Sequence, residues 1–242
     1  MNNGVMTIMT GAMWAGIVMA GEEEAMTLTR TMQGMEQKRP VNVVFYGDSI
    51  SEVKPGWNGG ASAPEKNWGA LTVARLGEAF PEAEFRAHHF SIGGQNTYEG
   101  LGRLDAVAAF APDLVFVAFG ANDCGWHPLM PEETGLALKT LVADIRARFG
   151  ADVIVVGTAG DNPLDTRFRH VDETIAAQRT VAQETRAPFV DMRSAILAAT
   201  DNGARWTEFH HGTDNCHPTD PGHEVWAAAA VSVCVRHVGQ VF

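Results

Sequence analysis

The sequence predicts an α/β domain in which a parallel sheet is covered by helices on both faces. Three observations predict it. Apolar runs rich in β-branched and aromatic residues recur at 41–46, 113–119 and 153–157. Segments with helical spacing of apolar residues separate them. Each run ends at a glycine: Gly47, Gly120 and Gly157. Continuous apolar runs suit strands buried on both faces, and their alternation with helices implies parallel pairing through right-handed crossovers.

The elements follow in order. Residues 41–46 read as a buried strand. Asn67 then caps a helix that carries Val73, Leu76 and Phe80 on one face and stops at Pro81. A weaker strand spans 84–90, and a helix spans roughly 98–110, ended by Pro112. The run 113–119 is the clearest central strand. The next helix aligns Leu138, Leu141, Val142, Ile145 and Phe149 and stops at Gly150. Residues 153–157 form a strand, 171–186 a helix and 189–191 a short strand. The last helix begins at Pro221, with Asp220 as its cap, and runs to about residue 237.

The chain of 242 residues suits one full-sized domain. We read residues 39–242 as that domain and 1–38 as an N-terminal extension. With 45% hydrophobic and 19% charged residues, the composition is that of a soluble globular protein, with no stable membrane insertion. A formal net charge of -11 argues against a nucleic-acid partner. Three cysteines, Cys124, Cys216 and Cys234, form no CxxC pair and no disulfide framework. Two readings of the N-terminus stay open. Residues 5–20 are mostly apolar and end in Val18-Met19-Ala20, as in a signal peptide for export, but no Lys or Arg precedes them. Eight of the ten methionines lie within residues 1–35, which suits a start placed too early and a cytoplasmic protein.

In open parallel sheets, ligands bind beyond the carboxyl ends of the strands. Those ends carry Gly47-Asp48-Ser49, Ile92-Gly93-Gly94 and Gly120-Ala121-Asn122-Asp123, and Asp214-Asn215-Cys216-His217 precedes the last helix. Ester hydrolysis asks for such a set: a hydroxyl to attack, a base, a group to orient that base, and donors for the developing oxyanion. Ser49 can attack. His217 can take its proton and return it to the leaving alcohol. Asp214, three residues earlier, can hold the imidazole. The oxyanion donors would be the N–H groups of Ser49 and Gly94 and the side-chain amide of Asn122.

Taken together, these segments resemble the sequence blocks of the SGNH (GDSL-type) hydrolase family, in the family's order. Gly47-Asp48-Ser49 is similar to block I. Ser91 to Gly94 with Gly100-Leu101-Gly102-Arg103-Leu104 resembles block II. Gly120 to Asp123 matches block III and Asp214 to His217 block V. The resemblance implies a three-layer α/β/α sandwich around a flavodoxin-like five-stranded parallel sheet. It implies a serine esterase working through an acyl-enzyme, without metal or cofactor. The family spans lipases, thioesterases and esterases that deacetylate carbohydrates. Trp-bearing loops without a large apolar lid favour a short acyl group, such as acetyl on a sugar.

Other residues have plainer readings. Asp48 fixes the loop around Ser49 through backbone N–H groups, and Asp123 is structural. Trp57 and Trp126 are candidates to stack on substrate, with packing as the alternative. His210, His211, Cys216 and His217 fit no standard zinc spacing, so no metal is expected. His88 and His89 face opposite ways on one strand, and one packs in the core. His127 and His223 read as surface or loop residues. Cys124 and Cys216 both fall near the site, as reduced thiols or, after export, as a disulfide. Two rivals remain. A flavodoxin-like binding protein would need a phosphate loop after the first strand, where Asp48 disfavours an anion. An acyltransferase of the same family would pass the acyl group to an alcohol. Oligomeric state is not legible.

Overall fold

The computed structural model describes residues 28–238. The candidate signal segment lies outside the described residues. The chain runs α1 (Thr29–Glu36), β1 (Val41–Gly47), α2 (Trp68–Ala79), β2 (Phe85–His89), α3 (Thr97–Leu101), β3 (Leu114–Ala118), α4 (Ala121–Cys124), α5 (Pro131–Phe149), β4 (Asp152–Gly157), α6 (Val171–Glu184), β5 (Phe189–Asp191), α7 (Met192–Ala199), α8 (Trp206–Phe209) and α9 (Asp220–Val238). All pairings are parallel, in the order β2-β1-β3-β4-β5. That order has its switch point between β1 and β3, where doubly wound sheets open a crevice at their carboxyl ends.

Strand alternation builds a core on each face. Val43, Phe45, Phe116, Ile154 and Val156 pack with Trp68, Ile196 and Trp226 beneath α2, α7 and α9. Val44, Tyr46, Val117 and Val155 pack with Leu138, Leu141 and Val181 beneath α5 and α6. The three layers follow directly: the central strands β1, β3 and β4 carry apolar residues on both sides, so each side needs a helical cover.

The lead-in segment also joins the core. Leu28 is buried, Arg30 and Arg39 donate to the buried Asp113, and Thr31 donates to Asp152 through its N–H and its hydroxyl.

Two expected elements differ. The helix over 98–110 divides into α3, capped by an Asn96/Glu99 box, and a 3-10 stretch over Leu104–Phe110. Gly100 and Gly102 weaken continuous helix. Gly100 also presses on the Phe119 ring, which a Cβ would meet at 2.7 Å. Asp220 is the first residue of α9 rather than its cap. Its carboxylate accepts from Ser62 N–H, the Ser62 hydroxyl and Lys66, pinning the 54–66 loop. Helix α7 has no counterpart in the sequence reading, although Asp191 caps it by accepting from Ser194 N–H.

His223 is not a surface residue. It is fully buried in the first turn of α9, accepts from Trp68 N–H at 3.1 Å, and faces Gly59 O at 3.2 Å. His210 is equally buried and stacks on Trp206 at 4.1 Å, and neither ring nitrogen has a partner among the described residues. Burial pushes their pKa values down, to about 3 for His210 and about 4 for His223. An unfolded histidine titrates near ~6.5. Below that pH the unfolded chain binds protons that the folded chain refuses, so stability present above ~6.5 is lost as pH falls toward ~4. Thermal melts should therefore show Tm dropping from about pH 7 to about pH 5. His210→Phe keeps the stack and removes unpaired nitrogens, so it should flatten that drop. An unaltered slope would place the acid sensitivity elsewhere.

Candidate active site

Ser49 stands just past the carboxyl end of β1. Gly47 allows this: a Cβ there would lie 2.2 Å from Ala118 O, so only a bare backbone lets β1 end against β3. Asp48 Oδ1 then accepts from Ile50 N–H at 3.1 Å and turns the chain. The loop is held from three other directions. Trp57 Nε1–H donates to Ser49 O at 2.9 Å. Asn67 caps α2 through Oδ1 while its amide donates to Ile50 O and Asn58 O. Trp68 Nε1–H donates to the Ser51 hydroxyl at 3.2 Å.

The Asp214–His217 loop meets Ser49 from the other end of the chain. His217 Nε2 is 2.8 Å from Ser49 Oγ, and Nδ1 is 2.9 Å from Asp214 Oδ2. Asp214 Oδ1 accepts from the N–H groups of Cys216 and His217, at 3.0 Å each. The Trp57 ring meets the His217 ring edge to face, with centroids 4.9 Å apart. His211 binds Gly60 O at 2.8 Å, and its N–H donates to His217 O. The 54–66 loop is thereby stitched to the histidine loop.

Gly94 has φ of +82° with open space where a side chain would be. A glycine meets that left-handed conformation without strain. Among the described residues, the N–H groups of Ser49 and Gly94 donate to no backbone acceptor. The Asn122 amide donates one proton to Gln95 O at 2.9 Å, which leaves its second for another acceptor. Asn122 is buried, and the buried Asp123 beside it accepts from Thr97 N–H and the Thr134 hydroxyl.

The carboxylates sit in unlike fields. For Asp214, burial favours the neutral acid, but donation from the His217 ring and two backbone N–H groups outweighs it. Its carboxyl is held well below the usual carboxylate range. Asp48 lies fully buried under Ser49, and burial lifts it to about 7 against the opposing Ile50 N–H. Burial likewise raises Asp123. Asp214 is therefore the carboxylate with full charge to offer an imidazolium.

Trp57 braces Ser49 and His217 and is half-buried. Trp126 is 62% exposed, and its ring contact is Phe168 rather than the triad-like chain. His127 is exposed beside Glu99. His88 and His89 do face opposite sides, toward Phe110 and Phe45. The Cys124–Cys216 bridge is not formed: all three cysteines are free and buried, and Cys124 Sγ donates to Gly120 O.

Sequence reasoning missed Arg103. Its guanidinium donates to Gly47 O and Phe90 O at 2.8 Å each and to the Gln95 side chain, and it lies 4.4 Å over the Tyr46 ring. One side chain thus joins the ends of β1 and β2 to the loop that carries Gly94. The sequence places Arg103 in block II and inside an expected helix, and nothing local there signals such a role.

Comparisons with known proteins agree on the fold. A two-domain esterase active on acetylated mannans superposes with a TM-score of 0.71 at 21% identity, covering 87% of this chain and 53% of that one. This chain thus spans about half of that protein's length. An acetylxylan esterase from Geobacillus stearothermophilus gives 0.64 at 22% identity, covering 82% and 94%. The lipase/acylhydrolase from Enterococcus faecalis gives 0.64 at 21%, covering 83% and 96%. No curated protein matches the chain in sequence. The GDSL-like Lipase/Acylhydrolase family matches residues 45–225, from β1 into α9. With that match over most of its length, the chain belongs to the GDSL-like lipase/acylhydrolase family of serine ester hydrolases.

Proposed function

We propose that Ser49 is the nucleophile, His217 the general base and Asp214 the residue that orients it, in hydrolysis of a short-chain acyl ester on a carbohydrate. The observation that carries this reading is the continuous line from Ser49 Oγ through the imidazole to Asp214, with 2.8 Å and 2.9 Å separations. Both lie within the range for proton transfer and orientation.

As Oγ bonds to the acyl carbon, its proton passes to His217 Nε2. The imidazolium so formed is stabilised by Asp214 Oδ2. The carbonyl oxygen gains charge, and Ser49 N–H, Gly94 N–H and Asn122 Nδ2 are the donors assigned to it. Collapse expels the alcohol, which takes the proton back from Nε2. Water then repeats the cycle on the acyl-enzyme and frees Ser49. The Gln95 link supports the donor set, since its carbonyl anchors Asn122 while its side chain is held by Arg103.

The carbohydrate assignment draws on two supports. Structural neighbours include esterases active on acetylated mannans and an acetylxylan esterase. Tyr98, in the first turn of α3, and Trp126, in the loop after α4, stand 68% and 62% exposed, and their segments are tied together by donation from the Asn96 amide to His127 O. Exposed aromatic faces beside a polar site suit a sugar ring.

Acetate release from acetylated xylo- and manno-oligosaccharides, run beside p-nitrophenyl acetate, tests the reading. Wild type should hydrolyse both, and Ser49→Ala neither, with its fold retained by circular dichroism. Turnover by Ser49→Ala would refute the nucleophile, whereas activity on the small ester alone would refute the carbohydrate. Asn122→Ala should lower kcat by about 10²–10³-fold with KM little changed. A loss confined to KM would make Asn122 a substrate-binding group instead.

A further inference from the structure

Cys216 lies inside the histidine loop and has no part in the chemistry above. Its Sγ is 3.6 Å from His217 Nδ1, and Asp214 Oδ2 is 2.9 Å from the same nitrogen. Thiol, imidazole and carboxylate donors all fall within 4.8 Å of one another. Asp214 Oδ1 is occupied by two backbone N–H groups, so Oδ2 is the oxygen turned to the cluster.

These spacings suit a chelate once the sulfur–carboxylate pair, within 4.8 Å, closes toward about 3.5 Å. Tetrahedral zinc holds sulfur at about 2.3 Å and imidazole nitrogen at about 2.0–2.1 Å, which sets the two donors about 3.5 Å apart. The Sγ–Nδ1 separation of 3.6 Å already meets that. The Nδ1–Oδ2 pair would open by a few tenths of an ångström, to about 3.3 Å. Sulfur and nitrogen with one carboxylate select zinc or cadmium over magnesium or calcium. Burial, and then the charges of Asp214, Asp48 and Asp161, keep the thiol protonated. Those same anions attract a dication, and a coordinated thiol gives up its proton. The Asp214 side chain is 29% exposed and that of His217 14%, so an ion enters past the carboxylate.

We propose that Asp214, Cys216 and His217 form an inhibitory site for a thiophilic divalent cation, Zn²⁺ or Cd²⁺. The inhibition rests on His217 being the base. A neutral His217 carries its proton on Nδ1, toward Asp214, and accepts at Nε2. An ion bound at Nδ1 moves that proton to Nε2, and the Cys216 proton leaves to solvent, so one proton is released per ion. With Nε2 protonated, the ring donates to Ser49 Oγ and can no longer take its proton.

The test is a titration of the full-length protein with Cd²⁺ at fixed pH. It follows the ultraviolet charge-transfer band of a cadmium–thiolate bond, proton release and ester hydrolysis. One ion and one proton per chain should accompany loss of hydrolysis, and a chelator should restore it. Cys216→Ser should still hydrolyse ester, lose the band, and need at least about tenfold more cadmium for half inhibition. Cys216→Ala takes its place if the serine variant folds poorly. A band or an inhibition curve unchanged in these variants would overturn the site. A band that depends on Cys216 without any loss of hydrolysis would overturn the inhibition through the role given to His217. Failure of Ser49→Ala to abolish turnover bears on the reaction alone.

Discussion

The 2.8 Å contact between Ser49 and His217 joins residues 168 positions apart, and the rest of the structure bears on holding its two ends together. One end is set by the sheet. β1 lies at the switch point beside β3, and Gly47 lets their ends close up. The other end is a loop with little secondary structure of its own. It is fixed by Asp214 bonding back to its own backbone, by the bridge between His210 and Pro218, and by Trp206 Nε1–H on Asn215 O. The 54–66 loop spans the gap, tied to α9 through Asp220 and His223 and to the histidine loop through His211. The proposed proton transfer therefore depends on packing far from the reacting atoms, because a shift of an ångström at either end can cost about 10²-fold in rate.

The central strands were legible because they are buried on both faces and close on glycines. The order of the blocks along the chain followed, since parallel strands deliver their ends to one edge. What stayed hidden depends on tertiary contacts between distant segments. His223 sits in the first turn of a correctly expected helix, yet only the paths of Trp68 and Gly59 bury that face. Arg103 and Trp57 act through backbone carbonyls of other loops, and a carbonyl has no side-chain identity for a sequence to display. Helix 98–110 breaks where Gly100 and Gly102 weaken it, and the close packing of Gly100 on Phe119 has no signal in the sequence.

The charge layout separates three carboxylates by their surroundings. Asp48, Asp123 and Asp214 lie close in the fold, but burial drives the first two toward the neutral form while donors keep the third ionised. The same arrangement leaves the Cys216 sulfur beside the His217 ring with a local negative field, which gives the site its proposed sensitivity to soft cations.

In the proposed reaction His217 makes the Ser49 hydroxyl nucleophilic in the folded protein. Reaction with a fluorophosphonate, followed by peptide mapping, tests it without any assumption about substrate. One adduct per chain is expected, on Ser49, with labelling lost in His217→Ala. An adduct on another residue, or undiminished labelling of Ser49 in His217→Ala, would contradict it.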